Sequence, residues 1–174
     1  MKRLTSVLFA CLVVILACNT VNALTFNPFK ATGRVQNKNL IIAANVVDVR
    51  LLADLAQYHS KQPILIISPE ADGTSGLYFA PAGSKATHAE AGQFMEIVNF
   101  INPKRIIVLG GDDYVDRKFV DLARKKYPVL ILDSDDWNLN AKSLGELLQI
   151  PALLKQYKEY RANIQATYGE QNAQ

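Results

Sequence analysis

The chain has 174 residues, 49% of them hydrophobic and 20% charged, with a formal net charge of +3. That near-neutral balance, with no extended basic run, gives nucleic acid no electrostatic footprint to hold. The only two cysteines, Cys11 and Cys18, fall in the first segment described below.

Lys2 and Arg3 form a short positive region, and Val7 to Ala17 is an unbroken apolar run of 11 residues. This is the pattern of an export signal. A helix across the ~30 Å hydrocarbon core needs about 20 residues, so a permanent span is the weaker reading. Two cleavage sites compete. Val21-Asn22-Ala23 suits ordinary signal peptidase and would leave Leu24 as the first residue, whereas Leu16-Ala17-Cys18 resembles a lipobox in which Cys18 would carry lipid. Either way the working chain is expected outside the cytoplasm: periplasmic, on the cell surface or secreted. Its membrane contact would be at most the lipid on Cys18. A chain starting at Leu24 has no cysteine, which removes disulfides, thiol nucleophiles and thiolate metal sites. It also loses Lys2 and Arg3, leaving 17 basic against 16 acidic residues, a balance of +1.

Residues 1–23 are therefore read as the signal and 24–39 as an aperiodic lead-in with Pro28 and Gly33. Residues 40–168 are read as one α/β domain and 169–174 as a polar, frayed tail. Leu40 to Ala44 has the continuous apolar character of a strand buried on both faces. Val47, Leu51, Leu52, Leu55 and Tyr58 then recur at helical spacing. A second strand, Ile64 to Ile67, follows Pro63, and the glycines and prolines of Glu70 to Thr87 predict a long loop. Phe94, Ile97, Val98 and Ile101 form a helical stripe that stops before Pro103. Arg105 to Leu109 is the third strand, ahead of a helix burying Val115, Phe119, Leu122 and Ala123. Pro128 to Leu132 is the fourth strand, and a helical region interrupted at Pro151 runs from about Ala141 to Tyr168. Strands alternating with helices imply a three-layer Rossmann-like domain, with a mostly parallel sheet of about four strands flanked by helices.

Ligands in such sheets bind outside the carboxyl ends of the strands. The segments converging there are Asn45 to Asp48, Ser68 to Thr87, Gly110 to Asp113 and Asp133 to Asp136. Gly110-Gly111 could present backbone amides to an anion at a helix N-terminus. Asp112 and Asp113 oppose that reading and suit N-caps. Asp133 and Asp135 carry the hard oxygen ligands that magnesium or calcium prefers, which would support a metal-dependent phosphoryl-transfer or hydrolytic enzyme. Their Asp-x-Asp pattern after a strand resembles the metal-binding part of Toprim-type nucleases, but Asn45 and Val46 stand where that family places a Glu. His59 and His88, the only histidines, form no metal-ligand pair, and His59 is expected to be exposed at a helix end.

Three runs resemble one unit of the cell wall-binding repeat 2 family. They are Asn45-Val46-Val47-Asp48-Val49-Arg50-Leu51-Leu52, Gln62-Pro63-Ile64-Leu65-Ile66, and Asn102-Pro103-Lys104-Arg105-Ile106-Ile107-Val108-Leu109-Gly110-Gly111-Asp112-Asp113-Tyr114-Val115. Members of that family usually carry three modules in tandem, against the length of one here, and the Arg-Tyr-x-Thr-Ala signature is missing. The resemblance implies a non-catalytic module, needing no cofactor, that holds to an envelope polymer or an envelope protein. Asp48, Pro63, Ile64, Leu65, Gly110 and Gly111 carry over to its binding region, and Asp112 and Asp113 adjoin it. Self-association into a homo-oligomer would restore the missing modules. The leading expectation is thus an exported binding module, with the metal-dependent enzyme as its rival.

Overall fold

A computed structural model describes residues 38–171 apart from residue 72, and it places side chains through residue 167. The expected signal, both candidate cleavage sites, the candidate lipidation site Cys18 and nearly all of the expected lead-in lie outside the described residues. Among those described, no helix is long and apolar enough to cross a membrane.

In chain order the elements are β1 (Asn39–Ala44), α1 (Val47–Ser60), β2 (Ile64–Pro69), β3 (Ser75–Ala80), β4 (Thr87–Glu90), a 3-10 turn (Ala91–Gln93) and α2 (Phe94–Ile101). They continue with β5 (Arg105–Leu109), α3 (Arg117–Arg124), β6 (Val129–Leu132), α4 (Trp137–Leu148) and α5 (Leu153–Gln171). The strands form one mixed sheet in the order β4-β3-β2-β1-β5-β6. β2, β1, β5 and β6 run parallel, while β3 is antiparallel to both β2 and β4. All four expected strands are present and parallel.

The two additional strands correct the loop expected over Glu70 to Thr87. Glu70 N donates to Thr74 O at 2.9 Å, and Gly73 takes a φ of +81°, so the chain reverses in a tight turn. It then presents Leu77 and Phe79 on one face of β3. That alternation is a strand signal, which the surrounding glycines and prolines masked. A second reversal through Pro81 and Gly83 leads into β4.

Helices cover both faces of the sheet. On one, Leu40, Ile42, Leu65, Ile106 and Val108 pack against α2 and α3 through Phe94, Ile97, Val98, Phe119 and Ala123. On the other, Ile41, Ala43, Ile64, Ile66, Ile107 and Leu109 meet α1, α4 and α5 through Leu52, Ala53, Trp137, Leu144 and Tyr157. Period-two alternation along each parallel strand feeds both cores, which is why these strands read as continuous apolar runs.

Two helical stripes sit differently from expectation. On α1 the buried residues are Val49, Leu52, Ala53 and Ala56, while Val47 and Tyr58 are exposed. Small alanines at the i+4 and i+7 positions let α4 and α5 approach, which the larger side chains on the neighbouring face would not. On α3 Val120 is buried and Leu122 is exposed. The helix caps are Asp116 on α3 and Asp136 on α4, each accepting a backbone N–H two residues on at 2.9 Å, and not Asp112 or Asp113. Lys118, bonded to Asp116 through both its backbone and its side chain, holds that carboxyl below its ordinary value. α5 continues past Tyr168 to Gln171.

The amino ends of the strands are closed by a polar lock. Asn39, only 2% exposed, accepts from Arg105 Nε at 3.1 Å and Nη2 at 2.9 Å, and its backbone N–H donates to Gln62 Oε1 at 2.7 Å. Gln57 Nε2 donates to the carbonyls of Gln62 and Ala80 at 3.1 and 2.8 Å. These polar groups are spent on one another.

Candidate binding surface at the carboxyl edge

From β1 the chain passes through α1 to β2 on one side, whereas β5 lies on the other side of β1. The topological switch point is therefore between β1 and β5, where ligands of open α/β sheets settle. Asn45-Val46 and Gly110 to Val115 form its two lips, and Ser68, near the end of β2, and Asp133, just after β6, stand on the next strands outward.

Each lip is built by local geometry. Asn45 N donates to Ile67 O at 2.9 Å, and Asn45 Nδ2 donates to Ser68 Oγ at 3.2 Å, tying the first loop to the end of β2. Gly110 takes a φ of +92° and donates its N–H to Leu132 O at 2.8 Å. A Cβ there would meet the Tyr114 side chain at 2.7 Å, so only glycine lets the tyrosine fold back over the turn. The Tyr114 ring then stands edge-on to Trp137 at 5.2 Å, joining the β5 loop to the start of α4. A Cβ on Gly111 would lie 3.5 Å from Asp133 Cβ, so the acidic ends of β5 and β6 are adjacent.

The acidic loop after β6 is held rigid by Asn140. Its side-chain amide donates to Ser134 O at 2.8 Å and accepts from Ser134 N at 3.1 Å, and the residue is almost fully buried. Ser134 Oγ accepts from Asp136 N at 3.2 Å. With that frame fixed, the edge exposes Val46, Val47, Tyr114 and Leu139 to solvent, together with the carboxylates of Asp112, Asp113 and Asp133. Among the described residues the countercharge to these three carboxylates is Arg117, 3.7 Å from Asp112. Exposed apolar side chains and exposed carboxylates thus share one edge of the sheet.

The residues expected to bind separate into three groups. Gly110, Gly111, Asp112 and Asp113 lie on the lip. Asp48, in the first turn of α1, is paired with Arg161 Nη2 at 2.9 Å, both side chains about 30% exposed. Pro63 is buried, and Ile64 and Leu65 are wholly buried in the sheet interior, so these three support the fold and present no surface. The Gly110-Gly111 turn does not open a helix: Gly111 O accepts from Tyr114 N and Val115 N, and α3 starts only at Arg117, behind the Asp116 cap. Asp133 and Asp135 are exposed near Asp112 and Asp113. Even so, among the described residues no three His, Cys, Asp or Glu side chains converge as a metal-holding group.

Beside Asp48, Tyr157 is fully buried, and its hydroxyl finds no hydrogen-bond partner among the described residues. Burial first, and then the Asp48 charge, push that phenol far above its ordinary value.

A second concavity of about 690 Å³ lies along the β2–β4 hairpins, lined by Glu70, Gly76, His88 and Glu90 among others. Glu70 Oε1 sits 3.5 Å from Tyr78 Oη and 4.0 Å from His88 Nε2, and the rings of Tyr78 and His88 are 5.0 Å apart. The Glu70 carboxylate occupies the space a side chain at Gly76 would take. Glu90 is engaged in a reciprocal capping pair with Gln93. His59 is exposed at the end of α1, with Nε2 2.6 Å from Gln156 Oε1.

Sequence reasoning placed the segment Asn45 to Asp48 at this edge without singling out Val46 or Val47, and named neither Tyr114, Leu139 nor Asn140 as site residues. Val47 read as part of a buried helical face. Tyr114 follows a glycine pair by three residues, which is the spacing of a side chain that folds back on its own turn. Asn140 carried no signal short of the structure. Searches against protein-family models, curated proteins and solved structures find no match for this chain.

Proposed function

We propose that this chain is an exported, non-catalytic binding domain of Rossmann-like, three-layer form, which docks a positively charged, partly apolar segment of an envelope protein on the carboxyl edge of its sheet. The observation that carries the reading is that Val46, Val47, Tyr114 and Leu139 are exposed on the same edge as Asp113 and Asp133, whose carboxylates have no ion-pair partner among the described residues. Apolar centres with charged rims are how protein partners are held and steered. The same carboxylates disfavour an anionic envelope polymer, so of the two partners expected from sequence the protein is preferred. β1 begins at the amino edge, so whatever precedes Asn39, a lipid anchor on Cys18 included, joins the fold at the end opposite this surface.

The test is an amide chemical-shift titration of the chain from Leu24 with three probes: a short peptide alternating lysine and leucine, isolated anionic envelope polymer, and magnesium chloride. The reading expects salt-sensitive shifts for the peptide at Asn45–Val47, Gly110–Tyr114 and Asp133–Leu139, with the Asn39 and Gln62 amides still. Shifts confined to the polymer would transfer the site to the repeat-like reading. Shifts at Asp112, Asp113, Asp133 and Asp135 with millimolar magnesium, and none with the peptide, would revive the metal-dependent enzyme.

A further inference from the structure

The two outer strands of the sheet are finished differently. β4 shows Thr87, His88 and Glu90 to solvent. β6 is Val129-Leu130-Ile131-Leu132, each residue only half-buried, and no described strand lies beyond it. Natural sheets protect an open edge with charge, proline or a cover, and β6 has no charge or proline within its span and, among the described residues, no strand along its outer side.

The hydrogen bonding shows what that edge offers. Ile106 N donates to Pro128 O at 2.9 Å and Gly110 N to Leu132 O at 2.8 Å, and the register pairs Ile107 with Leu130. Even-numbered residues of β6 thus face β5, so Val129 and Ile131 turn their N–H and C=O groups outward. The flanks carry opposite charge. Arg124, Lys125 and Lys126 precede the strand, and Asp133, Asp135 and Asp136 follow it. Lys125 and Asp135 are both exposed.

We infer that β6 pairs antiparallel with β6 of a second copy of this chain, about a two-fold axis at Leu130, joining two six-stranded sheets into one. An antiparallel partner must bring outward groups to outward groups, which sets Val129 against Ile131 of the second copy and Leu130 against its own counterpart. That register places the Lys125 end of each copy beside the Asp135 end of the other, twice over by symmetry. A parallel pairing would set like charges together. A second copy is the occupant this charge order fits, and the pairing stands whether or not the carboxyl edge binds the proposed partner.

The test uses the chain from Leu24, which contains every described residue and no cysteine. Sedimentation equilibrium should show a dimer that Lys125→Glu or Asp135→Lys alone weakens at least tenfold and that the double variant restores, because the swapped charges meet again across the axis. Leu130→Cys should form a disulfide-linked dimer in mild oxidant. Directly opposed residues of a non-hydrogen-bonded pair lie about 4.5 Å apart at Cα, within disulfide reach. Val129→Cys, two residues out of register with itself, should not. A monomer at every concentration tested would overturn the inference, as would single reversals without effect, equal cross-linking at both cysteines, or dimerisation only after removal of residues 24–37, which would make the chain's own lead-in the cover.

Discussion

The two ends of the parallel strands use polar residues in opposite ways. At the amino end, Asn39, Gln57, Gln62 and Arg105 satisfy one another across β1, β2, β3 and β5. At the carboxyl end, Asp112, Asp113 and Asp133 face solvent beside exposed valine, tyrosine and leucine. The residue types are equally polar, but the first set is consumed by the fold and the second is left over. Stability should therefore be concentrated at one end and recognition at the other.

Substitutions can break that division. The largest effect is expected at Asn39→Ala, which removes the acceptor of two guanidinium bonds inside the lock. Bonds to charged groups contribute about 1.5–3 kcal/mol each with imperfect additivity, so a loss of roughly 3 kcal/mol should appear in urea unfolding. Gly110→Ala comes next: it forces a left-handed residue and displaces Tyr114, at roughly 1–3 kcal/mol. It tests the site end as well, because it should also disturb the Tyr114 and Trp137 resonances. Asn140→Ala should cost about 1–2 kcal/mol and, more tellingly, abolish hydrogen-exchange protection at the Ser134 amide.

The smallest change is Tyr157→Phe. Its hydroxyl is buried with no partner among the described residues, so removing it relieves a desolvation cost, and near neutral pH the variant should be as stable as the parent or more stable by about 1 kcal/mol. In alkali the sign is fixed by linkage. The folded phenol lies above the unfolded value of 10.0, so the unfolded chain loses its proton first and stability falls as pH rises through 10. The phenylalanine variant should lose less stability there than the parent, and an unchanged alkaline limb would show that another group governs it.

The strands of the parallel core were legible because each is an apolar run closed by a turn, and helices between them fix their direction. β3 was hidden because Gly73, Gly76 and Pro81 bracket a stretch whose alternation spans only a few residues. The site was half legible. Gly110 and Gly111 announce a turn at a strand end, but which side chains remain exposed there depends on where α1 and α4 begin. That is a matter of packing: Val49, Leu52, Ala53 and Ala56 form the buried face of α1, while Val47 at its start is left exposed. The binding role expected for Ile64 and Leu65 shows the same limit, since one apolar run serves equally as a contact surface or as the interior of a sheet.

The most direct measurement is a paired one on Val47→Ser with Leu139→Ser, two exposed positions outside the lock and outside the β6 edge. The thermal midpoint should stay close to that of the parent, with at least a tenfold loss of affinity for the lysine–leucine peptide. Unchanged affinity, or a loss matched by general destabilisation, would contradict a recognition surface at the carboxyl edge.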